Sequence, residues 1–157
     1  MKDSLNMVLT KAIDLENTVS MCYQTLTEIA PLQSLKEQLK ELASEEINHA
    51  LLLRTGQNYV KNAPDAFGDI ILGVSEIGNG IQEANDLIDR IKNRRTSLHE
   101  ALQQIYDLEI KFVDIHLNTV ADIKDETLKT LFTALSKDDQ KHADRLETLM
   151  KDWGVKS

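Results

Sequence analysis

Two carboxylate–histidine pairs recur in this sequence at the same spacing. Glu46 precedes His49 by three residues, and Asp139 precedes His142 by three residues. Positions three apart lie on one face of a helix, so each pair can direct a carboxylate and an imidazole at a single point. Mixed oxygen and imidazole donors suit iron or manganese better than copper or a structural zinc ion. Both pairs are therefore candidate metal ligands.

Two further carboxylates extend the pairs into an internal repeat. Glu16 lies 30 residues before Glu46, and Glu109 lies 30 residues before Asp139, so that the two sets are offset by a constant 93 residues. Equal spacing in both halves indicates two helical hairpins with the same register. Each hairpin would supply half of a dinuclear centre.

Four amphipathic segments must position these residues. Apolar residues recur at alternating spacings of four and three through 5–30, 35–60, 98–123 and 128–153, the pattern of packed helices. Each segment would form about 39 Å of helix. Each of the four carboxylates interrupts one apolar stripe near its middle and should face the core. An uncompensated charge there costs several kcal/mol, whereas two divalent cations would neutralise all four carboxylates.

Local signals separate the segments and define the expected fold. Pro31 and Pro64 interrupt the helical pattern, and Ser97 followed by Glu100 is a capping box for the third helix. The long connection 63–96, with a moderately helical stretch from about 81 to 93, suits a crossover along a bundle. We expect an all-α, ferritin-like antiparallel four-helix bundle with one long crossover between helices two and three.

The same pattern predicts one domain over 1–157, with 63–96 inside it. The crossover begins with an apolar run, 67–74, that covers either its own bundle or a dimer partner. We expect a homodimer.

Composition excludes several classes of function. The net charge of -8 would repel a phosphate backbone, so nucleic acid is not an expected partner. The single cysteine, Cys22, allows no CxxC pair and hence no rubredoxin-like module in this sequence. No apolar run approaches the ~20 residues that a membrane span needs, and no signal-peptide pattern is present. A cytoplasmic protein without a membrane partner is the expectation.

The chain resembles the rubrerythrin and bacterioferritin branch of the ferritin-like superfamily over essentially its whole length. The residues that carry the resemblance are Glu16, Glu46, His49, Glu109, Asp139 and His142, with Tyr23 seven residues after Glu16. The resemblance implies two iron ions, with manganese or a mixed pair as alternatives. It implies that Glu16 and Glu109 are terminal ligands, that Glu46 and Asp139 bridge the ions, and that each histidine binds one ion.

Three departures from the family pattern bear on the chemistry. Asp139 replaces the usual glutamate and is one methylene shorter. Phe112 stands where rubrerythrins carry an extra glutamate, which makes the site more like the six-ligand bacterioferritin type. His116 takes the position in the second repeat that Tyr23 has in the first. His116 is a hydrogen-bond donor to a ligand, an added ligand after rearrangement, or a buried polar residue.

The predicted function is a dinuclear metal protein with redox activity. It would oxidise Fe(II), or reduce O₂ or H₂O₂ with electrons from an unidentified external donor. Tyr23 would donate a hydrogen bond to a ligand or supply an electron. The alternatives are a metal-poor bundle that serves as an interaction module and iron storage in a ferritin-like shell. Glu45 and Asp138 fall off the apolar stripes and are expected to be surface charges.

Overall fold

The part of the chain that the structure describes forms five α-helices. The computed structural model describes residues 2–62 and 74–154, and no strand occurs in these ranges. The helices are α1 (Lys2–Ile29), α2 (Gln33–Asn62), α3 (Val74–Lys92), α4 (Leu98–Asp122) and α5 (Glu126–Leu149), and a π-helical segment (Met150–Gly154) follows α5. The expected all-α class is confirmed.

Two helical hairpins pair to form the bundle. Helix α1 packs along α2, and α4 packs along α5, because the links between them are only a few residues long. Further contacts between α2 and α5 and between α1 and α4 join the hairpins. The four long helices thus enclose one core.

The helix ends follow the predicted capping signals. The Ser97 side chain accepts from the Glu100 amide at 3.2 Å, and the Glu100 carboxylate accepts from the Ser97 amide at 3.1 Å. At the start of α5, Asp125 accepts from the Leu128 amide at 3.0 Å. These contacts satisfy amide donors that have no partner within the helix.

The apolar stripes form the core as expected. Where the structure describes their side chains, all stripe residues are buried except Leu98, which is half-buried. Burial of both the apolar residues and the four central carboxylates confirms the register read from the sequence. The bundle axis therefore carries a charged layer between two apolar layers.

The crossover contains a fifth helix that is longer than expected. Helix α3 starts at Val74, well before the helical stretch expected from about 81, and it packs on α1 and α4. The packing is close at Gly80, where an added Cβ would lie 3.3 Å from side-chain atoms of both Leu15 and Phe112. Apart from Val74, the apolar run 67–74 lies outside the described residues.

None of the described helices is long and apolar enough to cross a bilayer.

Candidate metal centre

The bundle brings all six predicted ligands together at its centre. Helix α1 supplies Glu16 and α4 supplies Glu109, while α2 and α5 each supply a carboxylate–histidine pair. All six side chains are buried; they are Glu16, Glu46, His49, Glu109, Asp139 and His142. The pairs meet because three residues of helical rotation keep the carboxylate and the imidazole on the same inward face.

Both histidines direct Nδ1 into the centre. His49 Nδ1 lies 3.2 Å from Glu46 Oε2, 3.5 Å from Glu16 Oε2 and 3.8 Å from Asp139 Oδ1. His142 Nδ1 lies 2.6 Å from Glu46 Oε1 and 3.6 Å from Glu109 Oε1. The two rings stack with centroids 5.2 Å apart. Imidazole nitrogens from both hairpins therefore converge on the Glu46 carboxylate.

Several donor atoms in the centre have no hydrogen-bond partner. These atoms are both Glu16 oxygens, Glu46 Oε1, Glu109 Oε2, Asp139 Oδ1 and His142 Nδ1. The short approach of His142 Nδ1 to Glu46 Oε1 lacks hydrogen-bond geometry. Buried carboxylate oxygens without partners are costly, and each such cluster needs a physical explanation.

A pair of divalent cations fits this donor set. Glu46, His49, Asp139 and His142 each offer an atom within 4.8 Å of the others, and a second group of Glu16, His116 and Asp139 does the same. The charges of two divalent ions would balance the four carboxylates. Glu109 falls outside both groups, but it lies beside His142 and retains an unpaired oxygen.

Without metal, protons compensate the buried carboxylates. Burial lowers the pKa of His49 and of His142, but the carboxylates around them outweigh it and raise these pKa values to about 12 and about 11. Burial raises the pKa of Glu46 well above its usual range, with further increases from the charges of Glu109 and Glu16. Burial likewise raises the pKa of Asp139 to about 7, against a lowering by His116.

Glu16 differs from the other carboxylates. Burial alone would raise its pKa, but the nearby His49 and His116 and the contact with Glu46 lower it to about 2. The Glu16 carboxylate is therefore charged at neutral pH.

Tyr23 and His116 contact different candidate ligands. The buried Tyr23 hydroxyl donates to Glu109 Oε1. His116 Nδ1 lies 2.6 Å from Asp139 Oδ2, and its Nε2 lies 3.7 Å from Glu16 Oε1. Both side chains therefore lie next to candidate ligands.

Two carboxylates next to the centre were missed in the sequence. Glu45 Oε2 lies 2.6 Å from His142 Nε2 and also pairs with Arg145, and Asp138 Oδ2 lies 3.4 Å from His49 Nε2. Both side chains are partly exposed, as expected for surface charges, at 37% and 41%, but they also contact the histidines of the centre. A signal was present, because each directly precedes a stripe carboxylate and the two share the 93-residue offset.

The centre is open on one side and covered on the other. A surface cavity of about 310 Å³ borders His49 and His142, and its mouth carries Glu45, Asp138, Lys141 and Arg145. The glutamate side, formed by α1 and α4, lies under α3. Small molecules can therefore approach from the histidine side.

Comparison with known proteins gives one match. A family model described as Rubrerythrin matches residues 7–150, which include every residue of the centre. No curated protein and no solved structure matches the chain. Together with the helical pairing above, the family match confirms the expected ferritin-like bundle.

Proposed function

This chain belongs to the rubrerythrin family, and we propose that its buried centre holds two iron ions and catalyses a redox reaction. The reaction would be the oxidation of Fe(II) or the reduction of O₂ or H₂O₂. Electrons for repeated turnover would come from an external donor. The pair of iron ions, when bound, would supply one-electron redox changes at two adjacent sites.

One observation carries this proposal. Four carboxylates and two imidazoles from four helices converge in the core, and six of their donor atoms have no hydrogen-bond partner. A bundle that kept these groups only for structure would join them by hydrogen bonds, because a buried polar atom without one is costly. The unpaired oxygens and the inward Nδ1 atoms instead support metal binding.

Each residue has a distinct role in the proposed centre. Glu16 and Glu109 would each bind one ion from the α1 and α4 side. Glu46 and Asp139 would lie between the ions, and His49 and His142 would each bind one ion through Nδ1. The outer carboxylates Glu45 and Asp138 would orient the imidazoles by accepting from Nε2–H.

Tyr23 would hold Glu109, a ligand of one ion, in place through a hydrogen bond. Its hydroxyl donates to Glu109, and burial raises its pKa well above the usual range, with further contributions from the charges of Glu109 and Glu46. The tyrosine therefore keeps its proton at neutral pH and can hold the Glu109 carboxylate in one orientation.

The surface cavity beside the histidines supports O₂ or H₂O₂ as the substrate. At about 310 Å³ it admits a small molecule, and it leads to the two imidazoles without crossing the apolar core. Larger substrates would meet the paired side chains of Glu45 and Arg145 at its mouth.

Metal analysis and anaerobic iron loading test the proposal. Protein purified without chelators is analysed for metals, and its spectrum is recorded before and after Fe(II) loading and exposure to O₂ or H₂O₂. We expect about two irons per chain and a near-ultraviolet ferric band, typical of a carboxylate-bound pair. No bound metal together with no spectral change would overturn the proposal and favour an interaction module.

A variant pair makes this test specific to the centre. Glu46→Gln keeps the shape of the side chain but removes its charge, and it should abolish the ferric band while circular dichroism stays helical. Glu37→Ala removes an exposed carboxylate from the same helix and should leave the band unchanged. Full Fe(II) oxidation by Glu46→Gln would contradict the assignment.

A further inference from the structure

Among the inner residues of the centre the two halves differ at two positions, and in the second half the residues at these positions touch each other. With the 93-residue offset, His116 corresponds to Tyr23 and Asp139 corresponds to Glu46. His116 Nδ1 lies 2.6 Å from Asp139 Oδ2, and both side chains are buried. In the first half the Tyr23 hydroxyl instead reaches across to Glu109. The aspartate and the histidine therefore form one structural unit.

We propose that His116 is a seventh donor to the metal pair and binds one ion through Nε2. This inference rests on the metal centre proposed above. Glu16, His116 and Asp139 each offer a donor atom, and these atoms lie within 4.8 Å of one another. Imidazole nitrogen as well as carboxylate oxygen binds iron and manganese.

The position of Nε2 distinguishes a ligand from a supporting residue. It lies 3.7 Å from Glu16 Oε1, which is too far for a hydrogen bond. Two donors that each lie about 2.1 Å from one ion can be up to about 4.2 Å apart, so an ion fits between these atoms. A protonated His116 that served only to neutralise Glu16 would donate to it from Nε2, yet neither Glu16 oxygen has a hydrogen-bond partner among the described residues.

The other ring nitrogen of His116, Nδ1, already has the kind of partner that a metal-bound histidine usually has. Metal-binding histidines usually donate their other N–H to a carboxylate or carbonyl, which determines the tautomer. Asp139 Oδ2 occupies that position for Nδ1. The shorter aspartate therefore turns one oxygen to His116 and leaves Oδ1, which has no hydrogen-bond partner, for an ion.

The two ions are inequivalent as a result. The ion beside Glu16 gains a nitrogen donor from His116, whereas the ion beside Glu109 has no counterpart, because Tyr23 occupies the matching position and donates to Glu109 instead. The difference arises at the two positions where the repeats carry different residues, His116 in place of Tyr23 and Asp139 in place of Glu46.

Proton NMR of the cobalt(II)-loaded protein tests the inference. Each imidazole bound to cobalt(II) gives one strongly shifted exchangeable N–H resonance. We expect three such resonances, from His49, His142 and His116. The His116 resonance should exchange most slowly in D₂O, because its Nδ1 is buried against Asp139. Two resonances with two bound cobalt ions would overturn the inference and leave the metal centre intact. No cobalt binding would overturn both.

Two variants assign the resonances. His116→Gln should remove one of the three while circular dichroism stays helical. His99→Gln should leave all three, since His99 lies ten residues before Glu109 on α4, about 15 Å along the helix. If His116→Gln does not fold, the number of resonances in the unaltered protein still decides the question. Loss of no resonance in folded His116→Gln would contradict the inference.

Discussion

His142 Nε2 lies 2.6 Å from Glu45 Oε2 on the outer side of the centre, and Arg145 holds the same carboxylate with contacts of 3.0 and 3.1 Å. The other half is arranged alike but more loosely. There, His49 Nε2 lies 3.4 Å from Asp138, and among the described lysines and arginines Asp138 pairs with Lys141 alone, at 3.5 Å. A repeat whose inner carboxylates share one spacing is therefore asymmetric in the contacts that orient its histidines.

Removing these outer carboxylates should affect the two halves unequally. Glu45→Ala removes the acceptor that orients His142, so the affinity for one ion should fall roughly 10–100-fold. Asp138→Ala should cause a smaller loss because its contact with His49 is longer. Cobalt(II) titration followed by absorbance measures both affinities. Equal losses in the two variants would show that the difference in distance has no energetic consequence.

Metal binding should release protons and strengthen as pH rises. Burial lowers the pKa of His49 and of His142, but the neighbouring carboxylates raise them to about 12 and about 11, so both imidazoles are protonated at neutral pH without metal. An ion at Nδ1 must displace one proton from each ring. The two ring protons alone change the apparent affinity for the ion pair about a hundredfold per pH unit. The proton displaced from Glu46, whose pKa is raised by burial, makes this dependence steeper. Loading in weakly buffered solution with a pH indicator measures the protons released.

The pH dependence of stability has opposite signs with and without metal. Both folded-state pKa values lie above the ordinary value of 6.5. The protonated imidazoles therefore stabilise the metal-free fold fully below about pH 6.5, and this stabilisation is lost as pH rises toward about 11. Stabilisation by metal grows over the same range. The Tm difference between loaded and chelator-treated protein should widen from about pH 6 to about pH 8. A constant difference would contradict the proton displacement.

Tyr23→Phe should destabilise the metal-free protein more than the metal-loaded protein. The substitution removes the hydroxyl that donates to the buried Glu109 carboxylate. Loss of a donor to a buried group costs about 1–3 kcal/mol, and each kcal/mol lowers Tm by about 2–4 °C in a domain of this size. The loss should be smaller in loaded protein, where an ion also compensates Glu109.

A second tyrosine provides the control for that comparison. Tyr106 is half-buried on the same helix as Glu109, and its hydroxyl makes no hydrogen bond to a described residue. Tyr106→Phe should change Tm little in either form. Thermal denaturation followed by circular dichroism measures all three proteins. An equal Tm loss for Tyr23→Phe with and without metal would argue against an ion beside Glu109.

Two glycines of α3 should respond differently to alanine. An added Cβ at Gly78 meets nothing within 4 Å, so Gly78→Ala should stabilise the helix by about 0.5–1 kcal/mol. At Gly80 the same Cβ would lie 3.3 Å from both Leu15 and Phe112, which are fully buried and have little room to move. Gly80→Ala should therefore be less stable than Gly78→Ala in urea denaturation. Equal stabilities would show that α3 can shift away from the bundle without cost.

Much of the fold and the inner centre could be predicted from local patterns. An apolar stripe identifies the buried face of a helix, and the carboxylates that interrupt four stripes at equal depth must meet once the helices pack. The capping box at Ser97 and Glu100 depends on backbone donors within one helical turn, so it could also be predicted from the sequence. These features depend only on helical periodicity and on interactions between residues close in the chain.

The outer contacts depended on how the helices pack against one another. Glu45 meets His142 across 97 residues of sequence. Periodicity identifies which residues face inward, but not which side chain of another helix meets a residue at the edge of that face. The contact between His116 and Asp139 and the position of α3 over α1 and α4 depend in the same way on helix rotation and crossing. Tertiary packing therefore decides how the histidines are oriented and which contacts the differing residues of the two halves make.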